Sequence, residues 1–173
     1  LAKQIVSGRN TAIDMPAGPS EVMVLADGTT PAAFVAADLL SQAEHGKDST
    51  AVLVCTGRDY ADKVLEEVEN QKKALPRDAQ VNGALAHSYA VVFPSLADVI
   101  DFAEAYAPEH LIIALENAAE VAGEITASGS VFIGPWSPES AGDYASGTNH
   151  TLPTSGWARS CSGVNLDSFM RKM

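Results

Sequence analysis

Three short polar motifs concentrate the residues able to do chemistry. They are Gln42-Ala43-Glu44-His45-Gly46, Pro108-Glu109-His110-Leu111 and Gly142-Asp143-Tyr144-Ala145-Ser146-Gly147-Thr148-Asn149-His150. Three of the chain's four histidines lie inside them. Each motif sets a histidine beside or near a carboxylate or an amide, the mix that a metal-assisted redox or hydrolytic site requires. If the three converge in space, the chain carries an active site.

Gln42 and His45 stand three residues apart, so on a helix they share one face, expected to point outward at the helix's C-terminal end. A neutral imidazole ligates metals, an amide oxygen does so more weakly, and the negative end of the helix dipole favours a cation. A polar helix end with a capping histidine accounts for the same residues. Glu44 reads as solvated or as an outer partner. Glu109 and His110 follow Pro108 and precede an apolar run, at the N-terminal mouth of a strand. Neighbours on an extended backbone point to opposite sides, so both reach one site only if the chain bends there. A histidine base beside a glutamate that activates water is an acid/base arrangement. The other reading is a histidine satisfied by a backbone carbonyl and a glutamate in solvent.

In the last motif Asp143 offers a metal-binding carboxylate, and Gly142 and Gly147 permit tight backbone conformations. Ser146, Thr148, Asn149 and His150 add hydrogen-bonding groups. A glycine-rich surface loop is the alternative. Ser20, after Gly18-Pro19, can present its hydroxyl to a ligand or simply close a turn.

The elements that must position these residues alternate. Glu21 to Ala26, Thr50 to Thr56, Tyr89 to Phe93, Leu111 to Leu115 and Ser130 to Ile133 read as strands. Between them, helices are expected from a Thr30 cap with Pro31 in the first turn to about His45, with Gly46 as the stop. Others are expected over 59–74, 78–86, 117–127 and after a Ser95 cap. Strands alternating with helices predict an α/β fold: a mostly parallel sheet with helices on both faces, an incomplete Rossmann-like domain. Residues 135–163 read as a long irregular segment, which inside a compact domain is usually functional.

Bulk properties exclude several classes. Net charge is −11, so a nucleic-acid backbone or an anionic membrane would be repelled. No run reaches the length of a membrane-spanning helix, and no signal-peptide pattern appears. Cys55 and Cys161 lie far apart and outside any CxxC spacing, as in a reduced cytoplasmic protein. GxGxxG after a strand, a phosphate-loop lysine and GxSxG are all missing.

Taken together, these motifs resemble those of histidinol dehydrogenase. The likeness rests on Ala17-Gly18-Pro19-Ser20-Glu21-Val22, the run Asp38 to Gly46, Pro108-Glu109-His110-Leu111, Ser130-Val131-Phe132, and Ser140 to His150 continuing into Leu152-Pro153-Thr154. It covers essentially the whole chain.

The resemblance implies a zinc-dependent homodimer that oxidises histidinol through histidinal to histidine and reduces two NAD. It implies Gln42, His45 and Asp143 as zinc ligands, and Glu109 and His110 as the acid/base pair. Ser20, Gln42, His45, His110, Asp143 and His150 would contact substrate. The fourth zinc ligand would be a histidine beyond the end of this chain, from the partner subunit, and the NAD contacts would lie mostly upstream of Leu1. Both ends read as cut. Residues 1–20 would close a preceding α/β domain or linker, 21–165 would form the catalytic portion, and 166–173 would start a helical region. The expected location is cytoplasmic, or plastid for a plant source. Two other readings remain at this point: a metal-dependent hydrolase using Glu109, and a non-catalytic α/β module binding a small molecule.

Overall fold

The computed structural model describes residues 2–16 and 18–171. Five strands form one sheet: β1 (Glu21–Ala26), β2 (Thr50–Cys55), β3 (Tyr89–Val92), β4 (His110–Ala114) and β5 (Ser130–Ile133). All pairs are parallel, in the order β3-β2-β1-β4-β5. The helices are α1 (Ala2–Ser7), α2 (Ala32–Ala43), α3 (Arg58–Gln71), α4 (Asp78–Leu85), α5 (Leu96–Tyr106), α6 (Ala118–Ala122) and α7 (Glu139–Tyr144).

The central strands are apolar on both faces because both faces are covered. On one face Val22, Val24, Leu53 and Ile112 pack against Val35 and Leu39 of α2, Val64 of α3 and Val81 of α4. On the other, Met23, Leu25, Val54 and Ile113 meet Val99 and Ala103 of α5 and Val121 of α6. The period-two alternation of each strand sorts its side chains between these two cores.

Several local expectations are corrected. Thr30 does not cap α2: its hydroxyl donates to the Ala114 carbonyl, and its burial beneath β4 outweighs the capping preference. Gly46 is not the left-handed stop of α2, which ends at Ala43 with Glu44 still right-handed. The helix expected over 117–127 is confined to Ala118–Ala122. The segment 135–163 is not wholly irregular. It contains α7, whose backbone starts directly after Pro138, and a 3-10 turn at Trp157–Arg159. Pro138 pre-sets the backbone for a helix start, which the abundance of Ser and Gly nearby concealed.

The sheet reverses its winding between β1 and β4. In open parallel sheets ligands ordinarily bind beyond the carboxyl ends of the strands at such a point. Here that end is bridged. Asp27 Oδ2 accepts from the Glu116 amide at 2.9 Å, and Tyr60 donates to the Thr30 carbonyl at 2.7 Å. The chemistry-bearing residues gather at the opposite edge, where β1 and β4 begin.

Candidate functional site

Glu109 and His110 reach the amino edge of the sheet through a sharp bend. Ala107 caps α5 in the left-handed region at φ 56°, a conformation that costs an ordinary residue roughly 1–2 kcal/mol. Pro108 follows, and β4 starts at His110. The bend brings both side chains inside, at 6% and 4% exposure. Gly129 lets β5 begin against this corner, because a Cβ there would stand 2.5 Å from the Glu109 carbonyl oxygen.

The hydrogen bonds assign roles. Glu109 Oε2 accepts from the Ser20 hydroxyl at 2.6 Å and the Glu21 amide at 2.9 Å. His110 Nδ1 lies 3.1 Å from the Glu21 carbonyl oxygen. A carbonyl only accepts, so Nδ1 carries the hydrogen and Nε2 of the neutral ring holds the lone pair. Nε2 faces Glu139 Oε1 at 3.8 Å, and Nδ1 stands 3.5 Å from Glu109 Oε2. One imidazole therefore sits between two carboxylates, with its basic nitrogen toward Glu139.

Gln42 does not point outward. It is fully buried on the inner stripe of α2 with Val35, Leu39 and Ala43. Among the described residues, both polar atoms of its side chain, and Oε1 of Glu139, are buried without a hydrogen-bond partner. Leaving a buried polar atom unsatisfied costs about 1–3 kcal/mol. His45 lies one turn further on, beyond the helix end, and is exposed. The two residues thus leave α2 from different levels rather than from one outward face.

α7 packs against α2. Gly142 allows the close approach of α7 to the sheet, since a Cβ there would meet the Phe132 ring at 3.0 Å. The Phe132 ring in turn lies 6.2 Å from that of His110. This seating brings ligand atoms of His45, Glu139 and Asp143 within 4.8 Å of one another. The three line a cavity of about 510 Å³ together with Glu44, Arg77 and Tyr144. Imidazole and carboxylate donors at this spacing suit zinc, and the orphaned amide oxygen of Gln42, one helical turn before His45, is of a type that can serve as a further weak ligand. The residues present fit a zinc ion.

Glu139 escaped the reading of the sequence. Its signal was Pro138 followed by acids at 139 and 143, which share a face only if the segment is helical. Ser20 is brought to Glu109. His150 is exposed on the loop after Gly147.

Three ionisable groups near the site are shifted upward. Burial, with the charge of Glu109 adding to it, holds the Glu21 carboxyl above the usual range against the hydrogen bonds from the Ser155 amide and the Tyr106 hydroxyl, which pull it down. Burial likewise raises the Tyr106 phenol, with the Glu21 charge adding to it. Burial, reinforced by the charge of Glu139, pushes Asp38 up to about 7 from 3.8. The folded chain thus keeps a proton that the unfolded chain releases. This contribution to stability is complete below the unfolded value and is lost progressively until the pH has passed the folded one. Asp38→Asn is therefore expected to change metal-free stability little at about pH 4 and to raise it at about pH 8. Thermal melts in chelator across that range check the sign.

Comparison with known proteins follows the same outline. A family model described as histidinol dehydrogenase matches residues 1–173. A histidinol dehydrogenase from Bacteroides fragilis is 57% identical over 172 residues, covering 99% of this chain and 40% of the relative. A chloroplastic histidinol dehydrogenase from Arabidopsis thaliana is 56% identical over 164 residues, 94% of this chain and 35% of the relative. The crystal structure of histidinol dehydrogenase from Elizabethkingia anophelis superposes with a TM-score of 0.95 at 56% identity, over 99% of this chain and 40% of that one. The chain thus spans about 40% of the length of such relatives. Among the described residues no helix is long and apolar enough to cross a membrane.

Proposed function

Because the chain belongs to the histidinol dehydrogenase family, we propose that it supplies the acid/base and metal-binding residues of an enzyme that oxidises L-histidinol to L-histidine through histidinal. Two NAD would be reduced, in a zinc-dependent homodimer of cytoplasmic or plastid location. The observation that supports this reading is one buried imidazole between two carboxylates, its basic nitrogen turned toward Glu139, which itself belongs to a group of side chains able to hold a metal.

Gln42, His45 and Asp143 would hold the zinc ion, which when bound would supply Lewis-acid chemistry and help to orient the substrate. His110 would take the alcohol proton at Nε2 as the carbon is oxidised, and NAD, when bound, would supply the two-electron acceptor. Glu139 faces that nitrogen and stabilises the imidazolium. In the second half, Glu109 would take a proton from the water that adds to histidinal, preparing the hydrate for the second two-electron oxidation. One alcohol, one water and two NAD yield one carboxylate, two NADH and three protons. Ser20 orients Glu109 through its hydroxyl, and His150 would contact substrate.

The test uses the protein at the full length of its relatives. Histidinol-dependent NADH formation should disappear on chelation and return with zinc. Turnover of an ester or amide without NAD would favour the hydrolase reading instead. The 173-residue chain alone is expected to bind zinc poorly and to leave histidinol unoxidised; NADH production by it would refute that expectation.

A further inference from the structure

We propose that Glu21 is a positioning residue whose side chain latches residues 152–156 over the Glu109–His110 pair. The inference rests on the roles just given to Glu109 and His110.

Glu21 occupies the first position of β1, and its four polar groups are each engaged with a different residue. Its amide donates to Glu109 Oε2 at 2.9 Å, and its carbonyl accepts from His110 Nδ1 at 3.1 Å. Those two bonds engage Glu21 only through its main chain, against the side chains of Glu109 and His110. The side chain belongs to the opposite face, with Met23 and Leu25, and makes the other two bonds. Oε2 accepts from the Tyr106 hydroxyl at 3.0 Å, and Oε1 accepts from the Ser155 amide at 2.9 Å. The residue is 7% exposed, so these are bonds to a largely desolvated carboxylate. Charge-assisted bonds of this kind are stronger than neutral ones.

What the side chain holds packs beside the main-chain corner that carries the acid/base pair. Leu152 and Thr154 are buried at 8% and 4%. A Cβ at Gly129 would stand 3.2 Å from Leu152 and 2.5 Å from the Glu109 carbonyl, so Leu152 sits on the Glu109 corner. A Cβ at Gly18 would stand 2.8 Å from both Thr154 Oγ1 and Ser155 Oγ, so the same segment covers the loop bearing Ser20. Ser155 itself sits in the left-handed region at φ 56°, a conformation that needs an external tie in a residue other than glycine. The Glu21 carboxylate supplies that tie. It also fixes the downstream end of the third motif, five residues past His150. The strand that aligns Glu109 and His110 through its main chain therefore clamps their cover through its side chain.

The experiment combines hydrogen exchange with steady-state kinetics, on the zinc-loaded protein at the full length of its relatives. Glu21→Ala should accelerate exchange in peptides spanning 150–157 by about tenfold or more. It should lower kcat for histidinol by about a hundredfold, as a misplaced site does, with KM changed less than kcat. Glu21→Gln should restore most of both, since Oε1 still accepts from Ser155 and Nε2 can donate to the phenol oxygen. Parental exchange and parental kcat in Glu21→Ala would overturn the proposal, as would a Gln variant no better than Ala. Should Glu21→Ala not fold, Tyr106→Phe decides: partial acceleration of the same peptides supports the latch, and none overturns it. If the parent protein shows no histidinol-dependent NADH formation, the functional reading fails, and the exchange data alone still judge the latch.

Discussion

Replacing His110 by Asn is expected to lower histidinol oxidation by about 10²–10⁴-fold, the usual yield of a general base. Asn is chosen because its amide nitrogen can stand near the place of Nδ1 and keep the bond to the Glu21 carbonyl. What disappears is the lone pair at Nε2, opposite Glu139. The fold should be retained, with a thermal midpoint near that of the parent, and both oxidations should slow. Glu109→Gln separates the two halves. Its amide oxygen still accepts from Ser20 and the Glu21 amide, so the corner stays intact. Alcohol oxidation should then persist while hydration of the aldehyde fails, and histidinal should accumulate with about one NADH formed per turnover instead of two. Stopped-flow recording of NADH, with trapping of the aldehyde, reads the difference. Equal loss of both oxidations in Glu109→Gln would remove the division of labour proposed for the pair.

The second large effect is expected at Gln42, where stability and function should move in opposite directions. Its two polar atoms are buried without partners among the described residues. The unpaired amide carries an unrecovered desolvation cost of about 1–3 kcal/mol. Gln42→Leu has similar volume and removes both atoms from an otherwise apolar stripe beside Leu39 and Ala43. Metal-free protein should therefore gain roughly 1–3 kcal/mol in unfolding free energy, visible as a higher urea midpoint. Zinc affinity, measured by competition with a chelator, should fall by at least about a hundredfold. A ligand residue that destabilises the empty fold is the pattern expected where function overrides packing. If Gln42→Leu destabilised the metal-free protein, the amide would have an internal partner, and its assignment to the metal would fail.

The charge balance around the site fits a cation. His45, Glu139 and Asp143 converge on the rim of one cavity, with Asp38 held up to about 7 by burial and by Glu139. Carboxylates packed this closely repel one another unless a proton or a metal lies between them. A bound divalent ion would lower that repulsion, so zinc should raise the thermal midpoint of the protein at the full length of its relatives by mass action.

Much of the architecture was legible in the chain itself. Apolar runs such as Val22 to Ala26 and Leu111 to Ala114 can be satisfied only by burial on both faces, which requires helices on both sides of a parallel sheet. Ser95 announced its helix through a side-chain bond reaching three residues ahead, and the structure has that bond to the Asp98 amide. The polar motifs also announced themselves, because His beside Glu or Gln beside an apolar stripe is costly unless it is used.

What the linear pattern left open was set by contacts distant in sequence. Local preference assigned Thr30 to a cap, but the Ala114 carbonyl 84 residues away took its hydroxyl. Helical periodicity located Gln42 and His45 on one face, but only the packing of α2 on the sheet decides which face is buried. Glu139 was hidden because a six-residue helix is not stable by itself; it forms because Gly142 seats α7 against Phe132. The residue types, and therefore the range of possible chemistry, were determined by the sequence. Which carboxylate faces which nitrogen was decided by the tertiary structure, since hydrogen bonds and metal ligation act over a few ångströms and join segments about 90–130 residues apart only after the chain has folded.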